Sequence, residues 1–129
     1  MVTISSHAEP DVSPPFVGEM CSYAMDVWLD EPDLLTDEAS LLEFLRGAAE
    51  AGGATVLGES SAVFPNGAVT AVLLLSQSHL SVHTWPEYRM ANFDLLTCGR
   101  LNGEHMLDHL KSRLRPARTN VVRVIRDVN

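Results

Sequence analysis

The amino-acid sequence predicts an α+β fold, a two-layer α/β sandwich in which two helices cover one face of a mostly antiparallel sheet. Three observations point there. Apolar periodicity gives the order β-α-β-β-β-β-α-β, with only two segments at helical spacing. The length, 129 residues, suits one compact domain, and 46% hydrophobic residues is the content of a globular chain rather than a disordered one. No internal repeat at solenoid spacing and no low-complexity tract interrupts the pattern. A sheet with helices on one side leaves its other face open, and that face must be polar or buried against a partner.

Residues 1–17, with Pro10, Pro14 and Pro15, read as a flexible extension ahead of a single domain over 18–129. Ser22 to Leu29 places Tyr23, Met25, Val27 and Leu29 at period two, the pattern of a half-buried strand. A helix follows, with Thr36 as its expected N-cap, Asp37 and Glu38 at the positive end of its dipole and Gly52-Gly53 as its stop. Leu41, Leu45 and Ala48, with Phe44 beside them, form its buried stripe.

Thr55 to Phe64 is a weaker strand, closed by the turn residues Phe64-Pro65-Asn66-Gly67. Val69 to Leu75 reads as a continuously apolar central strand and His79 to Trp85 as an alternating one. Pro86-Glu87-Tyr88 breaks the chain before a strand over Ala91 to Cys98. The second helix runs from Asn102, a good N-cap, to Arg115, where Pro116 stops it. Met106, Leu107, Leu110 and Leu114 face its core, and Lys111, Arg113 and Arg115 complement its negative end. Val121 to Ile125 is the last strand.

The chain carries 9 basic and 17 acidic residues, a net charge of −8. Nucleic acid and anionic membrane both require a cationic face, so neither is the expected partner; a cationic small molecule suits an acidic surface better. The longest apolar stretch, Ala68 to Leu75, is broken by Thr70 and falls far short of the ~20 residues of a spanning helix. Met1 to Val17 has neither the basic start nor the apolar core of a signal peptide, and Cys21 and Cys98 are too few for a disulfide framework, so the expected location is the cytoplasm. The charge is uneven: residues 1–77 hold 12 acidic and 1 basic, giving −11, whereas residues 78–129 hold 5 acidic and 8 basic, giving +3.

Chemistry concentrates at that boundary, in Ser76-Gln77-Ser78-His79-Leu80-Ser81-Val82-His83-Thr84-Trp85-Pro86-Glu87. On a strand, His79, Ser81, His83 and Trp85 share one face and Leu80, Val82 and Thr84 the other. The plain reading is a solvated strand face. A zinc site could draw on His79, His83, Cys98 and Glu87, but no paired-cysteine knuckle or histidine motif of metal spacing is present, so no metal is expected. A serine hydrolase could use Ser78 and His83, without a nucleophile elbow around the serine. Pyridoxal phosphate needs a Schiff-base lysine, and the only lysine, Lys111, lies near the basic end of a helix; no glycine-rich nucleotide loop is present either.

The run Ser76 to Tyr88, followed by Phe93-Asp94-Leu95-Leu96-Thr97-Cys98-Gly99, closely resembles the bacterial and archaeal S-adenosylmethionine decarboxylase proenzymes. These typically show Glu-Ser-His, then His-Thr-Trp/Tyr-Pro-Glu, then Phe-Thr-Cys-Gly; the likeness extends more faintly from about Ser22 to Arg126. It implies a pyruvoyl group made from the chain itself, with no pyridoxal phosphate. The serine matching Ser78 attacks the carbonyl of Gln77, and the resulting ester eliminates to release residues 1–77 and leave a pyruvoyl cap on residues 79–129. The substrate amine then forms a Schiff base with the ketone, an electron sink like that of pyridoxal phosphate, and carbon dioxide leaves.

By the same resemblance Cys98 returns a proton to the α-carbon, His83 serves self-processing and Thr70 assists it where the family often has serine. Phe64 matches an aromatic that stacks on adenine, and Glu87 a carboxylate that holds the ribose hydroxyls. The chain departs from the pattern at Gln77, where glutamate is usual, at Ala68, which has no usual counterpart, and near Ser22, where a histidine is common. The implied product feeds spermidine-type polyamine synthesis, and the implied assembly is a homo-oligomer, a dimer of processed protomers in contact through their open sheet faces. Ornithine or arginine as substrate, or an uncleaved homologue that binds or regulates a partner, are the alternatives.

Overall fold

The computed structural model describes residues 20–126, so the expected extension over 1–17 lies outside the described residues. Six strands form one sheet: β1 (Met20–Trp28), β2 (Val56–Val63), β3 (Val69–Leu75), β4 (Ser78–Trp85), β5 (Met90–Thr97) and β6 (Arg118–Arg126). Two helices, α1 (Glu38–Ala51) and α2 (Gly103–Leu114), pack side by side on one face. The spatial order is β2-β3-β4-β5-β1-β6, and every pairing is antiparallel. The expected two-layer α+β sandwich is therefore the observed one.

Alternation builds the core. Tyr23, Met25 and Val27 of β1, Leu80 and Val82 of β4, and Phe93 and Leu95 of β5 point to the helices, where Leu41, Leu45, Met106 and Leu110 meet them. Burying such side chains is worth roughly 1.5–3 kcal/mol each, and this holds the two layers together. The helices approach closely at Gly47, where a Cβ would run into the His109 ring. Thr84, a polar residue at an inward position of β4, is fully buried; its hydroxyl donates to Leu35 O at 2.7 Å and accepts from Val69 N at 2.8 Å.

Two local readings change. Thr36 is not the cap of α1: it ends a 3₁₀ turn (Asp33–Thr36), and Asp37 caps the helix by accepting from Ser40 N at 3.0 Å. A carboxylate next to the helix entrance satisfies an orphan amide better than a hydroxyl one residue too early. β3 lies inside the sheet as expected, with Val69, Ala71, Leu73 and Leu75 buried and Thr70, Val72 and Leu74 half-buried on the open face. β6 runs beyond the expected 121–125 at both ends because all nine of its residues pair with β1. Asn102 caps α2 as expected, accepting from His105 N at 3.0 Å.

Candidate active site

The open face carries the His83 cluster, and the register fixes its layout. Asp26, Asn92, His83 and Thr70 form one row across β1, β5, β4 and β3. Directly opposite residues share a face, so this row is a consequence of strand pairing alone.

One cluster surrounds His83. Its Nδ1 lies 2.5 Å from Thr70 Oγ1, the Phe64 ring meets it edge-on at 5.9 Å, and the Trp85 ring meets it at 4.5 Å with an interplanar angle of 66°. Tyr88 extends the aromatic wall, 6.3 Å from Trp85. Trp85 Nε1 donates to Asn92 Oδ1 at 2.6 Å, and Asn92 Nδ2 donates to Asp26 Oδ1 at 2.6 Å. Glu87 is exposed on the short 3₁₀ turn (Pro86–Tyr88) that follows Trp85. Phe64 is 44% exposed, just before the Phe64–Gly67 turn closed by Gly67 N donating to Phe64 O.

The second cluster lies at the other end of β4. Ser76 and Gln77 make the two-residue turn between Leu75 and Ser78, which pair across it. Gln77 is left-handed, with φ of 63°, a conformation that costs an L-residue roughly 1–2 kcal/mol, so strain falls on the residue whose carbonyl begins the Gln77–Ser78 bond. The Ser78 hydroxyl donates to Leu96 O. The Cys98 thiol, just past β5, donates to Gln77 O at 3.2 Å. Burial pushes the Cys98 pKa up, which keeps the thiol protonated as a donor.

The structure thus brings Thr70, His83 and Phe64 together, and separately Gln77, Ser78 and Cys98. It does not join the two groups within a protomer. Ser78 and His83 are five residues apart on one extended strand, about 17 Å at the usual rise. The zinc set is not gathered: among the described residues no three His, Cys, Asp or Glu side chains are grouped to hold a metal ion. Two participants escaped the sequence reading, Asp26 and Asn92. Each is a polar residue inside a strand, and only the register shows that they are opposite one another.

Comparison with known proteins gives the class, a decarboxylase. A solved structure of the adenosylmethionine decarboxylase from Aquifex aeolicus VF5 superposes with a TM-score of 0.75 at 25% identity, covering 86% of this chain and 92% of that one. The family model described as S-adenosylmethionine decarboxylase matches residues 22–127, and the chain belongs to that family. Its relatives include the S-adenosylmethionine decarboxylase proenzymes of Brevibacillus brevis, 40% identical over 104 residues (80% of this chain, 78% of the relative), and Pyrobaculum islandicum, 36% identical over 88 residues (67% and 70%).

Proposed function

We propose that this chain is a self-processing, pyruvoyl-dependent S-adenosylmethionine decarboxylase whose product serves spermidine-type polyamine synthesis. The observation that carries the reading is the placement of the Cys98 thiol 3.2 Å from Gln77 O, beside the Ser78 hydroxyl. Attack by Ser78 Oγ on the Gln77 carbonyl carbon puts negative charge on Gln77 O, where the thiol already donates; stabilising charge at the place it develops lowers the barrier. The C–N bond then breaks to leave an ester. Loss of the Ser78 α-proton expels the Gln77 carboxylate and frees residues 1–77 as one chain. The dehydroalanine left at 78 rearranges and takes up water, releasing ammonia and capping residues 79–129.

Leu96 O accepts the Ser78 proton in a hydrogen bond but is no base, so the attack needs another group to remove that proton. His83 is assigned to self-processing as a base for the later elimination, in which the Ser78 α-proton is removed. At about 17 Å along its own strand it cannot reach Ser78, whereas hydrogen-bond transfer needs about 3 Å. A second copy would have to bring its own His83 to the Ser78 end of the first. In a two-fold dimer both sites are then completed at once. Thr70 fixes the imidazole through Nδ1.

The pyruvoyl ketone supplies an electrophile that takes up the electrons released when the substrate carboxylate leaves as carbon dioxide. Cys98 then protonates the α-carbon. Phe64 and Glu87, both exposed at the His83 end, offer a ring face for adenine and a carboxylate for the ribose hydroxyls. The acidic chain and the aromatic wall favour a sulfonium cation over a neutral ligand.

Intact mass spectrometry of the purified protein tests the processing. Two chains divided between Gln77 and Ser78, the C-terminal one with a pyruvoyl cap, are expected, and a chain that stays whole refutes the reading. Carbon dioxide release from S-adenosylmethionine, ornithine and arginine tests the substrate. Activity on a free amino acid alone would reject the sulfonium substrate while keeping the chemistry.

A further inference from the structure

Behind Trp85 lies a hydrogen-bonded series that no step of the reaction uses. Asn92 is the directly paired neighbour of both Asp26 and His83, yet its side chain bonds to Asp26 and Trp85. We infer that Asp26 and Asn92 are positioning residues, which lock the Trp85 ring and through it hold the His83 imidazole against Thr70. The inference rests on the assignment of His83 to self-processing.

The chemistry of the groups gives the series a single direction. A carboxylate only accepts and an indole N–H only donates. Between them an amide has one arrangement that satisfies both, with its NH₂ toward Asp26 and its oxygen toward Trp85. Asp26 therefore sets the orientation of Asn92, and Asn92 sets the orientation of the indole. The indole ring then meets the imidazole at 4.5 Å. The imidazole is also tied through Nδ1 to Thr70. Two contacts therefore hold the ring, and Nε2 is left as the nitrogen that can face a reacting group.

Trp85 would not stay in place unaided. It is 36% exposed and follows the last inward residue of β4, where the chain turns into Pro86. Exposed side chains exchange rotamers on the picosecond to nanosecond scale. A base displaced by an ångström loses about 100-fold in rate, so restraint of a ring next to His83 has a kinetic effect out of proportion to its few contacts.

The test exchanges the two partners of the series. Asn92→Asp sets two carboxylates against each other in place of a hydrogen bond. In D26N/N92D the amide lies on β1 and donates to the carboxylate now on β5, which still accepts from Trp85. The rate of chain cleavage is expected to fall about 10- to 100-fold in N92D and to return to near the wild-type rate in the exchanged pair. A second readout follows the ring itself. With Trp28→Phe, Trp85 is the only tryptophan, and its fluorescence anisotropy is expected to gain a fast component in W28F/N92D that is absent from W28F and from W28F/D26N/N92D.

Cleavage of N92D at the wild-type rate, or slow cleavage with Trp85 as rigid as in W28F, overturns the inference. So does an exchanged pair that restores thermal stability but neither cleavage nor anisotropy. Failure of the parent protein to cleave at all would instead overturn the proposed function. In that case the anisotropy comparison still decides whether Asp26 and Asn92 hold the ring.

Discussion

Two separately inactive variants should repair one another. In Ser78→Ala the attacking hydroxyl is gone, and in His83→Ala the assisting base is gone, so neither chain alone should cleave. In the proposed two-fold dimer these residues, about 17 Å apart along β4, would belong to different sites. In a mixed dimer one site then combines Ser78 of the H83A chain with His83 of the S78A chain, and the other site carries both defects. With equal amounts and random pairing, about half of the H83A chains have an S78A partner, so about half of the H83A chains should be cut and no S78A chain should be. The assay is co-expression with tags of different mass, followed by intact mass of each chain. A cut H83A fraction near zero in a preparation shown to contain mixed dimers would refute the geometric argument. So would efficient cutting of H83A expressed alone.

The other expectations concern single groups. Thr70→Val removes the partner of His83 Nδ1 and should slow self-cleavage about tenfold or more, whereas Thr70→Ser keeps the hydroxyl and most of the rate; a time course of chain cleavage separates them. Thr84→Val leaves Val69 N–H and Leu35 C=O buried without their partner, about 2–4 kcal/mol in total, measured by urea unfolding of the uncut S78A protein. Asn102→Ala should cost about 1 kcal/mol through loss of the α2 cap in the same assay. The Cys98 pKa is raised by burial, so the protonated donor is present below the raised value and lost only as pH climbs through it. The alkaline fall in decarboxylation should therefore lie above the ordinary thiol range near 8.5, and a fall at or below that range would contradict Cys98 as the donor.

Much of this was legible in the sequence because alternation is a local signal. Tyr23, Met25 and Val27, and the alternating β4, show their inward faces without any knowledge of neighbours. The same signal is silent on facing at β3, where Val72 and Leu74 make the run apolar although both lie on the open face. A half-covered apolar face and a fully buried strand have the same composition, and only the position of the helices distinguishes them. Thr36 and Asp37 show a second limit: both are good caps, and which one serves depends on the 3₁₀ turn that consumes Thr36. For the site, resemblance supplied Ser78, His83 and Cys98 as one constellation. It could not show that the strand holds Ser78 and His83 apart, nor that Asn92 stands opposite Asp26, because register joins residues 66 positions apart in sequence.

The spatial order of the strands has a consequence for the life history of the protein. A cut between 77 and 78 would leave β1, β2, β3 and α1 on one piece and β4, β5, β6 and α2 on the other. In the sheet, however, β1 is wedged between β5 and β6, and β3 is bonded to β4, so three of the five strand ladders join one piece to the other. The pieces are interleaved rather than docked, and neither can leave without dismantling the sheet. Assembly is then an event that happens once. The uncut chain folds in a unimolecular process, while the cut protein, once denatured, must find its other piece by diffusion, and its recovery becomes dependent on concentration. After the cut, the persistence of the protein is a matter of how slowly it unravels.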